Sequence, residues 1–195
     1  MGMQTDVWAV NPSAGVDDFF FGSATISVAG TLNLSANEIG TNGWGYRLKM
    51  TSAGNNTAQT LLVKGIAVGE LGGNVTTERV TGTNASFSLS NTYWSVVNSI
   101  VAETLSVGAV KVGYGGDLAL PRTRVRALYY VSKSGSITLT ARKSNKVILK
   151  LDTASSNINN TMFLPPDGLL TTRSTLNDFC TVSLSGVSKL TIVCG

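Results

Sequence analysis

The chain has 195 residues, a formal charge of +4, 43% hydrophobic side chains and only 13% charged ones, where an ordinary soluble domain carries about 25% charge. That apolar content suffices for a core and excludes a disordered chain, while Gly, Ser, Thr and Asn supply roughly two-fifths of the residues, a composition that disfavours helix interiors and argues against a helical protein. No His is present, which excludes His-dependent triads and most zinc sites.

The N-terminal sequence MGMQTDVWAV has no basic region and no long apolar stretch, so no secretory signal is expected. No window reaches the roughly 18 apolar residues of a membrane span. A protein made inside the cell and free of the membrane is the expectation. The sequons at Asn33, Asn55, Asn74, Asn84 and Asn159 carry little weight in so polar a chain.

Short alternating segments bounded by Gly, Asn or Ser then recur. Ala24–Ala29 and Tyr46–Met50 alternate, Gln59–Val68 is a more continuous apolar run, and Val75–Val80 is rich in β-branched residues. Trp94–Val101 and Ser106–Val112 follow. Period-two alternation between turn signals marks half-buried antiparallel strands. Asn91–Leu105 has some helical spacing, but β-branched and aromatic residues dominate it, so it reads as strand. Gly113–Gly116 reads as a turn, and a division falls near Leu118–Arg122. In the second half Arg124–Val131 is a strand, Ser134-Gly135 a turn and Ser136–Ala141 a strand. Ser144-Asn145 turns again before Lys146–Leu151, and Phe179–Leu184 and Leu190–Val193 are the last strands. Pro165-Pro166-Asp167-Gly168 is a strong turn, because Pro fixes φ and Gly tolerates positive φ. The expected fold is all-β: an extended N-terminal arm over 1–22, a β-sandwich over 23–118 and a jelly-roll-like unit over 119–195, with about six strands in each unit.

Little in the chain suggests chemistry. Asp17-Asp18 is the only adjacent acidic pair, and a metal site wants several converging carboxylates. Gly-x-Ser-x-Gly and a phosphate-binding loop are absent. No catalytic residue, cofactor or metal is expected. Cys180 and Cys194 read as two buried thiols used as small apolar residues, with a bridge between neighbouring strands as the alternative.

Two features suggest contact instead. Arg122, Arg124 and Arg126, spaced by two, would project from one strand face as a basic stripe. Lys133, Arg142, Lys143, Lys146 and Lys150 add charge to the same half. A solvated face is the plain reading, and docking on an acidic protein surface is the functional one. Nucleic acid ranks lower, because the stripe has no interleaved aromatics. Trp8 and Phe19-Phe20-Phe21 are the apolar anchors near the N-terminus. Neighbours on an extended strand face opposite ways, so at least one of these Phe side chains should be covered from elsewhere, a partner subunit being one source. Removing residues 1–21 is then expected to leave a folded protein that assembles poorly.

The segments Leu48–Thr57, Val75–Ala85 and Tyr93–Ile100, closing with Val107-Gly108 through Val112-Gly113, resemble a module of tailed-bacteriophage structural proteins. The second half is similar to short phage virion proteins in its Arg126–Tyr130 strand, its Leu164–Gly168 turn, and its closing Gly186–Ile192 strand with Gly195. The resemblance covers most of residues 45–195. It implies a virion structural protein, above all a capsid decoration (cement) protein that bridges major capsid subunits. The implied partners are the major capsid protein and further copies of the chain, a trimer ahead of a dimer, with no membrane and no sequence-specific nucleic acid. It would be made in the host bacterial cytoplasm and reside in the virion. A tail, baseplate or head–tail connection component is the alternative within the virion. A carbohydrate-binding host-adhesion module is the alternative outside that class, with Trp44, Trp94 and Tyr114 as its candidate platform. An enzyme is the weakest class.

Overall fold

The computed structural model describes residues 6–10, 15–37, 44–69, 73–121, 124–153, 158–164, 168–170 and 179–194. It is all-β, with no α-helix among those residues. The strands are β1 (Asp6–Val10), β2 (Val16–Ala24), β3 (Gly30–Thr31), β4 (Gly45–Ser52), β5 (Thr60–Ala67), β6 (Val75–Thr81), β7 (Phe87–Ala102), β8 (Val110–Leu120), β9 (Arg124–Ala141), β10 (Lys146–Thr153), β11 (Ile158–Phe163), β12 (Leu169–Leu170) and β13 (Cys180–Cys194). The chain divides between Leu118 and Ala119 into two compact units, residues 14–118 and residues 1–13 with 119–195.

The unit of residues 14–118 has the strand order β8-β4-β7-β5-β6, with β2 on β8 and β3 on β7. Its centre is the 16-residue β7. The first part of β7 pairs antiparallel with β4, from Phe87↔Thr51 to Trp94↔Tyr46. Its second part pairs antiparallel with β5, from Trp94↔Ala67 to Ala102↔Leu61. Within the β4 pairing lies a bulge: Arg47 faces Tyr93 and Lys49 faces Leu89, so β7 carries extra residues there. A bulge strands backbone donors, and side chains take them up. Glu78 of β6 accepts the N–H of Asn91 (2.6 Å) and of Thr92 (2.8 Å). The buried Ser90 hydroxyl accepts from Leu48 N (2.9 Å) and donates to Thr92 O (2.7 Å). The Arg47 guanidinium donates to the carbonyl of Ser90.

The core of this unit gathers Phe20, Ile26, Leu48, Met50, Leu61, Val63, Val80, Trp94, Val97, Ile100, Val110 and Val112. Leu48 and Met50, or Leu61 and Val63, lie two residues apart, as one face of a strand requires. The segment expected as a strand at Ala24–Ala29 ends its ladder at Ala24. Ile26 is held instead by Ser106, whose hydroxyl takes the Ile26 N–H (2.7 Å) and whose N–H returns to Ile26 O (3.0 Å). The same loop delays β8 to Val110, because Asn56 Oδ1 accepts from Val107 N (2.8 Å) and Gly108 N (3.1 Å). The turn expected at Gly113–Gly116 is a continuous part of β8. Gly113 serves close approach: a Cβ there would collide with the carbonyl oxygen of Val16.

The other unit is built on the 18-residue β9. On one side β10, β11 and β12 pair with successive parts of it, and on the other β13 runs along nearly its whole length. β1 extends the sheet beyond β13, from Asp6↔Cys194 to Val10↔Leu190. The expected turn at Ser134-Gly135 is absent, and the two expected last strands are the single β13. Gly135 and Gly186 are strand glycines at a crossing: a Cβ on Gly135 would strike Ser185 O, and Gly186 has φ +63° beside a register shift at Ser185/Val187. Asn145, at φ +51°, does close the turn from β9 to β10. Of the Pro-Pro-Asp-Gly turn, residues 165–167 lie outside the described residues. Gly168 has φ +67°, and β11 and β12 run in the same direction along β9 on either side of it. Cys180 and Cys194 are buried and unbridged at opposite ends of β13, on the order of 40 Å apart along an extended strand, whereas a disulfide needs Cα atoms within about 7 Å.

The stretch expected as an arm is divided between the two units: β1 pairs with β13, and β2 pairs with β8. Phe20 has 0% exposure. Removing residues 1–21 therefore takes out a core side chain and two paired strands. The corrected expectation is that this deletion does not fold, and that Phe20→Ala costs about 3–5 kcal/mol in urea unfolding. Glu78→Ala should cost about 1–3 kcal/mol by orphaning the two bulge donors, and Glu78→Gln, which keeps one acceptor, distinctly less.

Candidate interaction surfaces

The apolar anchors resolve differently along β2. Val16 faces Tyr114 and Phe21 faces Val112, so β2 is irregular between them. That irregularity breaks the strict up-and-down alternation. Phe20 enters the core, and Phe19 and Phe21 pack against it. Phe20 is thus covered within its own unit, and Phe19 and Phe21 are partly buried there. Phe19 meets Phe20 edge-on at 5.1 Å and Tyr114 edge-on at 5.1 Å. Tyr114 stacks on Tyr46 at 5.0 Å, and Tyr46 meets Trp44 at 5.8 Å. Trp94 is wholly buried. The three rings expected as a carbohydrate platform are thus a core residue and two members of this packed aromatic chain. Trp8 lies in β1 opposite Ile192; its side chain is outside the described residues.

Of the basic stripe, Arg122 is outside the described residues. Arg124 is exposed and Arg126 half-buried on β9, with buried Val125 between them. Their spacing puts both on one face of the strand. Further along, Arg142, Lys143 and Lys146 are exposed around the β9–β10 turn. Lys150, also exposed, pairs with Asp152 at 3.4 Å. The charge is unevenly shared. The unit of residues 1–13 and 119–195 has ten Lys and Arg against four Asp and Glu, and the unit of residues 14–118 has five against seven. The net charges are +6 and −2.

Acids in the second of these units are partly engaged. Asp17 bonds Lys49 at 2.7 Å. Glu103 bonds Arg79 at 2.9 Å, which lowers the carboxyl pKa and raises that of the guanidinium. Among the described residues no group of three His, Cys, Asp or Glu converges.

Sequence patterning missed the exposed apolar side chains. Val28 is 76% exposed, Leu105 55% and Val107 82%. Leu105 and Val107 flank Ser106, which is bonded to Ile26, and Gly30 pairs with Ala102. The three therefore lie on neighbouring stretches of chain. In the other unit Phe163 (75% exposed) and Tyr129 (41%) meet edge-on at 6.3 Å. A surface cleft of about 470 Å³ lies between residues 31–37 and the Asn98-Ser99 part of β7. Its one sequence signal is the alternation Leu32-Asn33-Leu34-Ser35-Ala36-Asn37.

Compared with protein-family models, curated proteins and solved structures, the chain matches none.

The aromatic chain has a consequence for pH. Burial, and after it the neighbouring Tyr114, push the Tyr46 phenol up to about 12 from 10.0. Folding thus favours the protonated phenol. Its contribution is whole below pH 10 and is lost as pH rises toward 12. Urea unfolding from pH 9 to 12 should show stability falling above pH 10, less steeply in Tyr46→Phe. Equal slopes in the two proteins would contradict the burial of this phenol.

Proposed function

We propose that this chain is a non-catalytic structural component of a bacteriophage virion, a capsid decoration protein that binds and bridges major capsid subunits. The observation that carries this reading is the surface: one unit is strongly basic, the other is close to neutral, and the near-neutral one exposes Val28, Leu105 and Val107 on neighbouring stretches of chain. Two unlike surfaces on one chain are what a bridge between neighbours uses. Exposed apolar groups need burial, and few charges mean little desolvation cost at a contact. The resemblance of residues 45–195 to phage structural modules supplies the kind of neighbour.

In this reading Arg124, Arg126 and the Arg142–Lys146 turn steer the basic unit to an acidic capsid face. The exposed apolar side chains then seat on a second subunit. A specific contact buries about 1,000 Å² or more, and the repetition of a shell multiplies modest contacts through multivalency. Copies of the chain would gather as homo-oligomers, trimers ahead of dimers, at the symmetry axes of the shell.

The test is co-sedimentation of the purified protein with emptied, expanded capsids of the phage that encodes it. The reading predicts saturable binding at hundreds of copies per particle. Arg124→Gln with Arg126→Gln should weaken binding about three- to tenfold at low salt, the difference shrinking as salt screens the charges. Failure to bind overturns the proposal. Six or twelve copies per particle would move the protein to the tail, baseplate or head–tail connection.

A further inference from the structure

We infer that the cleft between residues 31–37 and the bulge of β7 at Asn98 is a binding site for a neutral, polyhydroxylated ligand, a segment of an uncharged glycan. This stands apart from the capsid reading and uses none of its residues.

The argument begins with the backbone. Residues 31–37 leave the ladder after Thr31 and arch beside β7. The arch is fixed at three points: Leu32 N to Ile100 O (2.9 Å), Ser35 N to Phe20 O (2.8 Å) and Val97 N to Asn37 O (2.7 Å). Leu32 and Leu34 pack against the core. The alternation then turns Asn33, Ser35 and Asn37 outward, and all three are exposed. The arch is anchored rather than loose, so these side chains are held in place before any ligand arrives.

The opposite wall is made by a second irregularity. Lys64 faces Ser99 and Gly65 faces Val97, so Asn98 has no residue across from it. A bulge residue is freed from the pleat and re-aimed. Here it lines the cleft with Ser99 and Thr31. Among the described residues, none of the six polar side chains Thr31, Asn33, Ser35, Asn37, Asn98 and Ser99 is committed to a hydrogen bond. Three amides and three hydroxyls thus present donors and acceptors side by side, a pattern that matches the hydroxyls of a sugar, which also donate and accept.

The lining also selects against other ligands. Among the described residues it holds no Lys, Arg, Asp or Glu, so none of them compensates the desolvation of a phosphate, a carboxylate or a cation. Among those residues there is no aromatic ring, so a nucleobase finds no stacking partner in them. Its polar side chains outnumber Leu32, Leu34 and Ala36, which argues against an apolar ligand. Its volume, about 470 Å³, lies in the range of about 300–1,000 Å³ usual for small-ligand sites.

The test uses the full chain on an array of immobilised neutral and acidic oligosaccharides. The best neutral binder is then titrated free in solution while the backbone amide NMR signals are followed. The inference predicts hits among neutral glycans, shifts confined to residues near 31–37 and 97–100, and binding by the free oligosaccharide as well as the immobilised one. Asn33→Ala with Asn98→Ala should weaken binding about fivefold or more. Ser35→Trp, which fills the cleft, should abolish it, while Val147→Ser leaves it unchanged. All these positions are exposed, and an unaltered amide spectrum verifies that each variant is folded. No neutral hit, preference for the acidic glycans, or shifts centred on the Tyr129–Phe163 pair would overturn the inference.

Discussion

The bulge of β7 at Ser90–Thr92 is the joint on which the unit of residues 14–118 depends. A 16-residue strand that kept one partner throughout would make a simple ribbon. This one pairs with β4 on both sides of the bulge, as far as Trp94, and with β5 from Trp94 onward. The exchange is affordable only because the stranded donors are met: Glu78 reaches across from β6 to two of them, and Ser90 and Arg47 tie the same turn of chain to β4. A hydrogen bond to a charged group contributes about 1.5–3 kcal/mol, so these side chains fix where the strand bends. The bend in turn sets Trp94 and Val97 into the core and leaves Asn98 outside it.

β9 in the other unit follows the same rule with different parts. It too is longer than any one partner on its β10–β11 side, and it too is relieved at an irregular point, where Gly135 and Gly186 let two backbones pass closely. In both units glycine acts inside strands, at Gly113 and Gly135, as well as at their ends.

That is also why the sequence was legible in one respect and opaque in another. Alternation located β4, a continuous apolar run β5, and β-branched content β6; in β4 and β5 one face is buried with a period of two, as Leu48 and Met50, or Leu61 and Val63, show. The breaks between strands were harder. Glycine marks both a turn and a close crossing, and the two look alike without knowledge of what lies opposite. Hence Gly113–Gly116 and Ser134-Gly135 read as turns but lie within strands. The run Phe19–Phe21 misled for a related reason: alternation assumes a regular strand, and β2 is irregular just there. The Arg124/Arg126 face was legible from spacing alone. The cleft was not, since it arises where two irregular segments meet, and no local pattern encodes such a meeting.

What the surface offers is contact. Uneven charge between the units, exposed apolar side chains and a neutral polar cleft each favour a different neighbour, and none needs a reacting group. The account therefore rests on this chain being part of an assembled particle. Reconstruction of the purified virion at residue resolution tests that most directly. The account predicts density for the two β units repeated over the outer shell, with Val28, Leu105 and Val107 covered by a capsid subunit. A complete particle map with no such density anywhere would contradict it.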